Sequence, residues 1–305
     1  MAFTIATYNV KDLFDAIDDA GAAHLNRKLD VLAGVVRTLD ADVLALQEVS
    51  SEAVVDQLRQ RLLGTDGAHG YHTRIVGTAD RRGIACALLS RAPVRSSEIL
   101  TADQLEFPRF HENDPSPFGA RIPLRRGIVH AEIDAGPLGI VHALVLHFKS
   151  MRPLPFQAAN GETIEPRTSR EHADGELRTL VWRASEALFV RGVVDGLFTK
   201  YPDHHVVVTG DFNDVAGSTT LRIIAGEGET ALESAAEIIP SQERFSIVHR
   251  ERRETIDHML LSSRLRSKMT QAHFFNENLR DHSLLEEHEY PTADSDHAPL
   301  VVRFQ

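Results

Sequence analysis

Six short polar motifs, each placed after an apolar run or opening one, constrain the fold more than any other feature of this chain. They are Tyr8-Asn9, Gln47-Glu48, His147-Phe148-Lys149-Ser150, Gly210-Asp211-Phe212-Asn213, Ile256-Asp257-His258 and Ser295-Asp296-His297. Apolar runs rich in β-branched residues and closed by turn formers predict buried strands. If those strands lie side by side, their polar ends meet at one edge of a sheet, a place suited to a divalent metal and a phosphate ester.

The apolar runs predict strands along the whole chain, and three- and four-residue spacing predicts helices between them. The predicted strands lie near 3–9, 42–48, 71–77, 83–90, 94–100, 121–133, 138–148, 204–211, 244–249, 254–262, 270–276 and 298–304. Helices are predicted at 25–39, 52–63, 172–199 and 218–225. This order indicates sheets covered by helices on their outer faces.

Two details of this pattern can be checked against coordinates. In the helix predicted at 172–199, one apolar stripe is expected to lie on a sheet, formed by Leu177, Leu180, Val181, Ala184, Leu188 and Val194. The stretches 107–119 and 152–171 lack periodicity and are rich in turn or charged residues, which predicts binding loops, with disorder as the alternative.

Composition limits the classes of protein this chain can represent. With 305 residues, 42% of them hydrophobic, it can bury a large core, and one domain over 1–305 is expected because the polar motifs span both ends. The formal charge of −11 lacks the basic footprint of tight nonspecific nucleic-acid binding, so it favours a weak or transient polyanion complex, or a small substrate.

Cysteine usage and the N-terminus bear on the compartment. Cys86 is the only cysteine, which excludes an intramolecular disulfide and fits a reducing compartment. Met1 leads directly into a predicted strand without a secretory signal, and no apolar run reaches transmembrane length. These features predict a cytoplasmic protein without a membrane segment.

Side-chain alternation along a strand suggests which polar groups face one ligand. Residues two apart point the same way, so Asp211 should face the ligand with Asn213, and His147 with Lys149. Asp257 lies inside an apolar run, where a carboxylate is costly unless it is paired or bound to metal.

Each motif also has an ordinary structural explanation. A Gln-Glu pair at a strand end is usually a solvated cap, Gly-Asp-Phe-Asn is commonly a turn, and Ser-Asp-His fits a loop. The occurrence of all six in this order is what favours a shared site.

Taken together, the motifs resemble those of the endonuclease/exonuclease/phosphatase superfamily of metal-dependent phosphoesterases. The resemblance rests on Tyr8-Asn9, Leu46-Gln47-Glu48, the run from Gly83 to Leu88-Leu89-Ser90-Arg91, His147, Gly210-Asp211-Phe212-Asn213, Ile256-Asp257-His258 and Ser295-Asp296-His297. It implies an α/β fold, a four-layer sandwich of two packed mixed β-sheets flanked by helices. The His-Phe-Lys-Ser motif with an Arg-containing loop is most similar to bacterial deoxyribonuclease-like members.

The resemblance also implies roles for the acidic and amide residues. Glu48 would be the principal ligand of Mg²⁺ or Mn²⁺ with Asn9 beside it, and Asp296 would support a metal. Asp211 would orient or deprotonate the attacking water, and Asn213 would hold a phosphate oxygen. Hard oxygen ligands suit these ions, and in-line attack gains most from positioning and charge neutralisation.

The basic residues complete the implied site. Asp257 would pair with His297 and support its cationic form against the phosphate. His147 would be a general acid, with phosphate binding as its alternative role, because Asp80, the nearest carboxylate that could orient it, is expected to be out of register. Lys149 would contact a flanking phosphate, or would be an ordinary surface lysine.

Three functions follow in order of preference. The first is a metal-dependent nuclease that cleaves DNA, with RNA as a second nucleic acid. The alternative is a phosphoesterase for a small-molecule or lipid-linked ester, which the charge of −11 motivates. The third, a noncatalytic binding protein, is disfavoured because every polar position of the pattern is filled. No protein partner is implied.

Overall fold

Strands and helices follow one another in close to the predicted order. The computed structural model describes residues 2–63, 70–105, 122–157, 163–284 and 295–305. The strands are β1 Phe3–Leu13, β2 Val43–Val49, β3 Thr73–Val76, β4 Ala85–Ser90, β5 Val94–Leu100, β6 Ile128–Asp134, β7 Ile140–His147, β8 Phe156–Gln157, β9 Thr163–Ile164, β10 His205–Asp211, β11 Leu232–Ser234, β12 Ile247–His249, β13 Arg252–Glu254, β14 Asp257–Ser262, β15 Met269–Phe274 and β16 Leu300–Phe304. The helices are α1 Asp19–Leu39, α2 Glu52–Leu62, α3 Ser169–Lys200, α4 Thr219–Ala225 and α5 Ser263–Arg266.

Most of the strands form two mixed six-stranded sheets. Their strand orders are β15-β16-β1-β2-β4-β3 and β11-β14-β10-β7-β6-β5, and β8-β9 and β12-β13 form separate pairs. Each large sheet contains one parallel pair, β1 with β2 in the first and β7 with β10 in the second. Parallel neighbours end at the same edge of a sheet, so the polar motifs that follow these four strands emerge in matched pairs.

Three apolar layers hold the sheets and helices together. Ile5 and Val207 contribute to the cluster between the two sheets. The next residue of each strand points the other way: Ala6 joins the cluster beneath α1 and α2, and Val208 joins the cluster beneath α3 and α4. Alternation along β1 and β10 therefore builds the layers helix, sheet, sheet, helix. The predicted α/β four-layer sandwich is confirmed.

Local capping explains where the helices begin. α1 begins at Asp19, ahead of the predicted 25, because the Asp18 side chain accepts a hydrogen bond from the Gly21 amide at 2.7 Å. α3 begins with a capping box in which Thr168 and Glu171 bond each other's backbone. Such caps satisfy amides that the first turn leaves without partners, and they can start a helix before its apolar stripe begins.

The face predicted for α3 is wrong over its first half. Leu177 and Leu180 are 60% and 41% exposed, whereas Arg183 and Glu186 are buried. The reason is polar packing: the Arg183 Nε atom lies 3.2 Å from Asp214 Oδ2, and Glu186 accepts backbone hydrogen bonds from the segments that follow β7 and precede β6. A buried ion pair and satisfied carboxylate oxygens can replace apolar contacts where a helix crosses a polar edge.

Two further expectations concern loops and membranes. The stretch predicted as irregular at 107–119 lies outside the described residues, as do 158–162 of the stretch 152–171. Within the described ranges, every helix is too short or too polar to cross a membrane.

Candidate active site

The polar motifs of both sheets meet at one edge of the sandwich. Asp211, the last residue of β10, lies opposite His147 of β7 and opposite Asp257 of β14. Asn9 of β1 lies opposite Gln47 of β2 in the other sheet. Strand register thus places three ionisable side chains in one row, with the polar end of the first sheet facing them.

Asn9 connects the two sheets. Its buried carboxamide nitrogen donates to Glu48 Oε1 at 3.3 Å and to Asp211 Oδ2 at 3.0 Å. One amide group therefore holds carboxylates from both halves of the sandwich, and any ligand of Glu48 also lies close to Asp211.

A bulge in the first sheet presents Glu48 to this edge. Glu48 has a positive φ of 66°, and the register of β2 against β4 shifts between Gln47 and Val49. Its second oxygen accepts the Asp12 amide at 3.0 Å. Burial and the charge of Glu48 raise the pKa of Asp12. A left-handed residue other than glycine is strained and recurs at functional sites, where it redirects a side chain out of the strand alternation.

Asp211, Asp257 and His297 form a tight cluster. Each offers a ligand-capable atom, and these atoms lie within 4.8 Å of one another. Asp257 Oδ2 lies 2.7 Å from His297 Nδ1, while its buried Oδ1 makes no hydrogen bond within the described ranges. Burial and the charge of Asp257 raise the pKa of Asp211 to about 7. The cluster therefore holds more negative charge than its neighbours compensate.

His297 is held as a cation. Burial on its own would lower the pKa of His297, but the charge and hydrogen bond of Asp257 outweigh burial and raise it to about 10. The loop before it is fixed by Ser295, whose hydroxyl donates to the Asn9 carbonyl at 2.6 Å and accepts the His297 amide at 3.1 Å. An imidazolium at this position can bind a phosphate oxygen.

His147 lies on the other side of Asp211 in the opposite electrostatic setting. Its Nε2 is 3.4 Å from Asp211 Oδ2, and its buried Nδ1 makes no hydrogen bond among the described residues. Asp80 does not orient it, because that carboxylate pairs with Arg126 at 3.1 Å. Burial, followed by the charge of Arg126, places the pKa of His147 well below its usual value. The imidazole is therefore neutral.

Asn213 joins the cluster after β10 has ended. It has a positive φ of 49°, its amide donates to Asp211 Oδ1 at 2.8 Å, and its Nδ2 donates to the Phe148 carbonyl at 3.1 Å. Asn213 thus locks the Asp211 side chain and ties the ends of β7 and β10 together. An amide nitrogen carries two hydrogens, and the described residues provide an acceptor for one of those on Asn213 Nδ2.

The structure does not bring Lys149 to the other predicted residues. β7 ends at His147, so the strand alternation that was to align the two does not extend to Lys149. Its Nζ donates to the carbonyls of Ser150 and Arg152 at 2.8 and 3.1 Å. Burial, with the charge of Arg125 next, lowers the pKa of Lys149 to about 8.

Asp296 lies at the rim of the site. Its carboxylate forms an ion pair with Lys11, whose Nζ also lies 3.4 Å from His282 Nδ1. Lys11 was not predicted. It follows Asn9 by two residues, but its positive φ of 47° breaks the strand alternation, so the sequence pattern carries no sign of its place.

A guanidinium from the loop before β6 was also missed. Arg126 Nη1 donates to the carbonyls of His147 and Phe148 at 3.1 and 3.0 Å. The Arg125-Arg126 pair belongs to none of the six motifs. It falls within the strand predicted at 121–133, but β6 begins only at Ile128, so the pair lies in a loop. In contrast, His258 is packed in the interior, with its Nε2 2.9 Å from the Asp214 carbonyl.

A known protein family matches nearly the whole chain. The Endonuclease/Exonuclease/phosphatase family matches residues 6–297. The chain belongs to this family. Its members are metal-dependent phosphoester hydrolases, so the chain is an enzyme of that class. A sequence search of curated proteins gives no match.

Solved structures of the family have the same fold at low sequence identity. Truncated TDP2 from Caenorhabditis elegans is 16% identical with a TM-score of 0.60, covering 100% of this chain and 97% of that one. The mannosyl-6-phosphatase of Bacteroides thetaiotaomicron is 17% identical with a TM-score of 0.57, covering 98% of each chain. A family protein from Beutenbergia cavernae is 16% identical with a TM-score of 0.58, covering 100% of this chain and 71% of that one.

Proposed function

We propose that this phosphoesterase is a divalent-metal-dependent nuclease that hydrolyses phosphodiester bonds in DNA, with RNA as a second nucleic-acid substrate. The observation that carries the proposal is the joining of Glu48 and Asp211 by Asn9, with His147 and His297 on either side of Asp211. Carboxylates and imidazoles around one point suit in-line attack of water on a phosphorus atom.

The residues at the edge fit a divalent cation. Asp257 Oδ1 is buried without a hydrogen bond among the described residues, and the pKa of Asp211 is raised to about 7 by burial and neighbouring carboxylates. Both observations indicate uncompensated negative charge. We assign Glu48 and Asn9 as ligands of Mg²⁺ or Mn²⁺ and Asp296 as a supporting group. When bound, the ion neutralises negative charge on the phosphate.

The remaining residues act on the water and the phosphate. Asp211 orients the attacking water and accepts its proton, since a carboxylate whose pKa is near 7 is matched to a general base at neutral pH. His297 binds a phosphate oxygen as an imidazolium, with its ring fixed by Asp257. Asn213 donates its second amide hydrogen to another phosphate oxygen.

His147 acts in this proposal as a neutral hydrogen-bond donor to the phosphate and not as a general acid. A general acid would need a carboxylate to orient its ring, but the Nδ1 atom of His147 has no acceptor among the described residues, and the charged neighbour that contacts the His147 backbone is Arg126. Lys149 keeps the weaker role of a flanking-phosphate contact, because its ammonium group is engaged by the 150–152 backbone.

The test is a metal-supplemented assay on plasmid, single-stranded and duplex oligonucleotides, and a panel of small phosphodiesters and phosphomonoesters. We expect nucleic-acid cleavage that EDTA abolishes and that Mg²⁺ or Mn²⁺ restores. Glu48→Gln should require far more metal for the same rate, and His297→Ala should lose most turnover at any metal concentration. Turnover of small esters alone would reject the nuclease, and activity that survives EDTA would reject the metal mechanism.

A second candidate is a phosphoesterase of small or lipid-linked esters. The formal charge of −11 favours it, because a strongly acidic surface repels a long polyanion. One structure with the same fold is described as a mannosyl-6-phosphatase. The phosphomonoester arm of the same panel distinguishes this candidate. A cytoplasmic location also belongs to the proposal, and fractionation of the native host tests it.

A further inference from the structure

A groove opens on the His147 side of the active site. Its volume is about 560 Å³. We call it the Arg–Trp groove and define it by Asp80, Arg81, Leu124, Arg125, Arg178 and Trp182. Pockets of this size hold small organic ligands, and here the wall combines guanidinium groups with an aromatic ring.

The groove is tied directly to the strand end that carries His147. Arg126 pairs with Asp80 in the groove wall and donates to the His147 carbonyl. Glu186 of α3 accepts a hydrogen bond from the Arg125 amide at 3.4 Å and another from the Lys149 amide at 3.0 Å. The groove and the reacting edge therefore share their supports, and a substrate bound at His147 can extend into the groove.

The described lining of the groove carries more positive than negative groups, in a chain that is negative as a whole. Among these described residues, Arg81, Arg125 and Arg178 carry guanidinium groups and Asp80 carries a carboxylate. Arg178 is held in place, because its Nη2 donates to the Leu154 carbonyl. That carboxylate, Asp80, lies 3.4 Å from Arg125 Nε and is also paired with Arg126 behind the wall. With a formal charge of −11 over the whole chain, such a local excess of positive charge favours an anionic ligand.

Trp182 gives the groove an aromatic wall. It is the only tryptophan of the chain, and the Arg125 guanidinium lies over its ring at 5.8 Å. Its buried Nε1 makes no hydrogen bond within the described ranges. Leu124 and Pro155 line the same space. Bases stack on such surfaces without sequence preference, while guanidinium groups hold the adjoining phosphate.

We propose that the Arg–Trp groove binds one unpaired nucleotide that flanks the scissile phosphate, with its base against Trp182 and its phosphate at Arg125 and Arg178. The proposal rests on the nuclease function and narrows its substrate to nucleic acid with an unpaired nucleotide beside the scissile phosphate. A base that packs against the Trp182 ring has left its stack and its pairing partner, so single-stranded or frayed DNA is the preferred substrate.

Two ester substrates with the same leaving group separate this proposal from the function on which it rests. They are methyl p-nitrophenyl phosphate and the thymidine p-nitrophenyl phosphates, tested as both the 3′ and the 5′ ester. We expect Trp182→Ala to lower kcat/KM for a thymidine ester about tenfold, mainly through KM, and to leave the methyl ester within about twofold. Leu180→Ala, on the exposed side of the same helix, is the matched control.

The possible outcomes distinguish the groove proposal from the proposed function. If neither ester is turned over in the presence of metal, the proposed function fails. If both are turned over but Trp182→Ala affects them equally, or affects neither, the groove proposal is overturned while the function stands. Trp182→Phe keeps an aromatic ring and should recover most of the loss.

A second measurement uses the unaltered chain in EDTA. Because Trp182 is the only tryptophan, its fluorescence reports on the groove directly. We expect deoxythymidine 3′,5′-bisphosphate to change the emission saturably, and Arg178→Gln to weaken that binding about tenfold. No saturable change, or equal competition by mannose 6-phosphate or inorganic phosphate, would overturn the nucleotide assignment.

Discussion

His147 and His297 approach Asp211 from two sides with opposite charges behind them. His297 is backed by the Asp257 carboxylate, which raises its pKa to about 10 against the effect of burial. His147 is backed by Arg126, and burial together with that charge keeps its pKa well below the usual value. Two identical side chains at one site thus differ in charge at neutral pH, because burial dominates at His147 while the Asp257 carboxylate outweighs burial at His297.

The largest expected effect is the loss of the carboxylate behind His297. Asp257→Asn should lower kcat on the order of 10³-fold, because the ring loses both its orientation and its charge. Steady-state kinetics on a small phosphodiester at saturating metal measure the change. His258→Asn removes a packed histidine next to Asp257 and is the control for nearby disruption. A kcat close to that of the unaltered chain in Asp257→Asn would contradict the role of the His297 cation.

Replacement of Arg126, the cation beside His147, should lower the free energy of unfolding. Arg126 and Asp80 are 5% and 2% exposed. Arg126→Gln leaves this buried carboxylate with only the more distant guanidinium of Arg125 and removes the hydrogen bonds of Arg126 to two carbonyls, so it should cost about 3 kcal/mol in the free energy of unfolding. Urea denaturation measures it. In the matched control, Arg95→Gln breaks an exposed pair with Asp134 and should leave stability almost unchanged, because solvent screens that pair. Equal losses in the two variants would show that Arg126 is not an internal support.

A smaller loss of activity is expected when His147 itself is replaced. His147→Gln keeps an N–H donor, so kcat/KM should fall about tenfold, whereas loss of a general acid should cost about 10²- to 10⁴-fold. The comparison of p-nitrophenolate with an alkoxide leaving group sharpens the test. A neutral donor affects both substrates alike, while a general acid matters mainly for the poor leaving group. A loss confined to the alkoxide substrate would restore the general-acid role.

The smallest expected effect is on the pH dependence of stability, and it involves His142, which lies away from the active site. His142 lies between His130 and His204, with nitrogen atoms at 3.0 and 2.9 Å, and burial followed by the charge of His130 lowers its pKa from 6.5 to about 4. Between these values the unfolded chain binds more protons. The free energy of unfolding is therefore highest above pH 6.5 and should fall by about 1 kcal/mol toward pH 4.

Denaturation across this pH window tests the contribution of His142. His142→Gln should flatten the dependence between pH 4 and 6.5, whatever its stability at neutral pH. His249→Gln, at an exposed position, should retain the original slope. An unchanged slope in His142→Gln would assign the acid sensitivity to other groups.

Local patterns were enough to predict most strands and the positions of the polar motifs. The run before Asp211 predicted a strand at 204–211, and the structure has β10 at His205–Asp211. Side-chain alternation gave a wrong prediction beyond a strand end. It aligned Lys149 with His147, but β7 stops at His147. It also failed on α3, where Arg183 and Glu186 are buried by partners distant in sequence. The single domain over 1–305 stays a prediction.

By itself, the sequence determined most strands and helices and which residues stand at strand ends, because side-chain periodicity and turn formers act over a few residues. The two-sheet sandwich was expected from the resemblance of the motifs to a known family. Only the tertiary structure decided the bulge that presents Glu48, the ion pair of Lys11 with Asp296, and the charges behind His147 and His297. These features arise from groups far apart in the chain. Electrostatic effects depend on distance and burial in the folded state, and no local pattern encodes either.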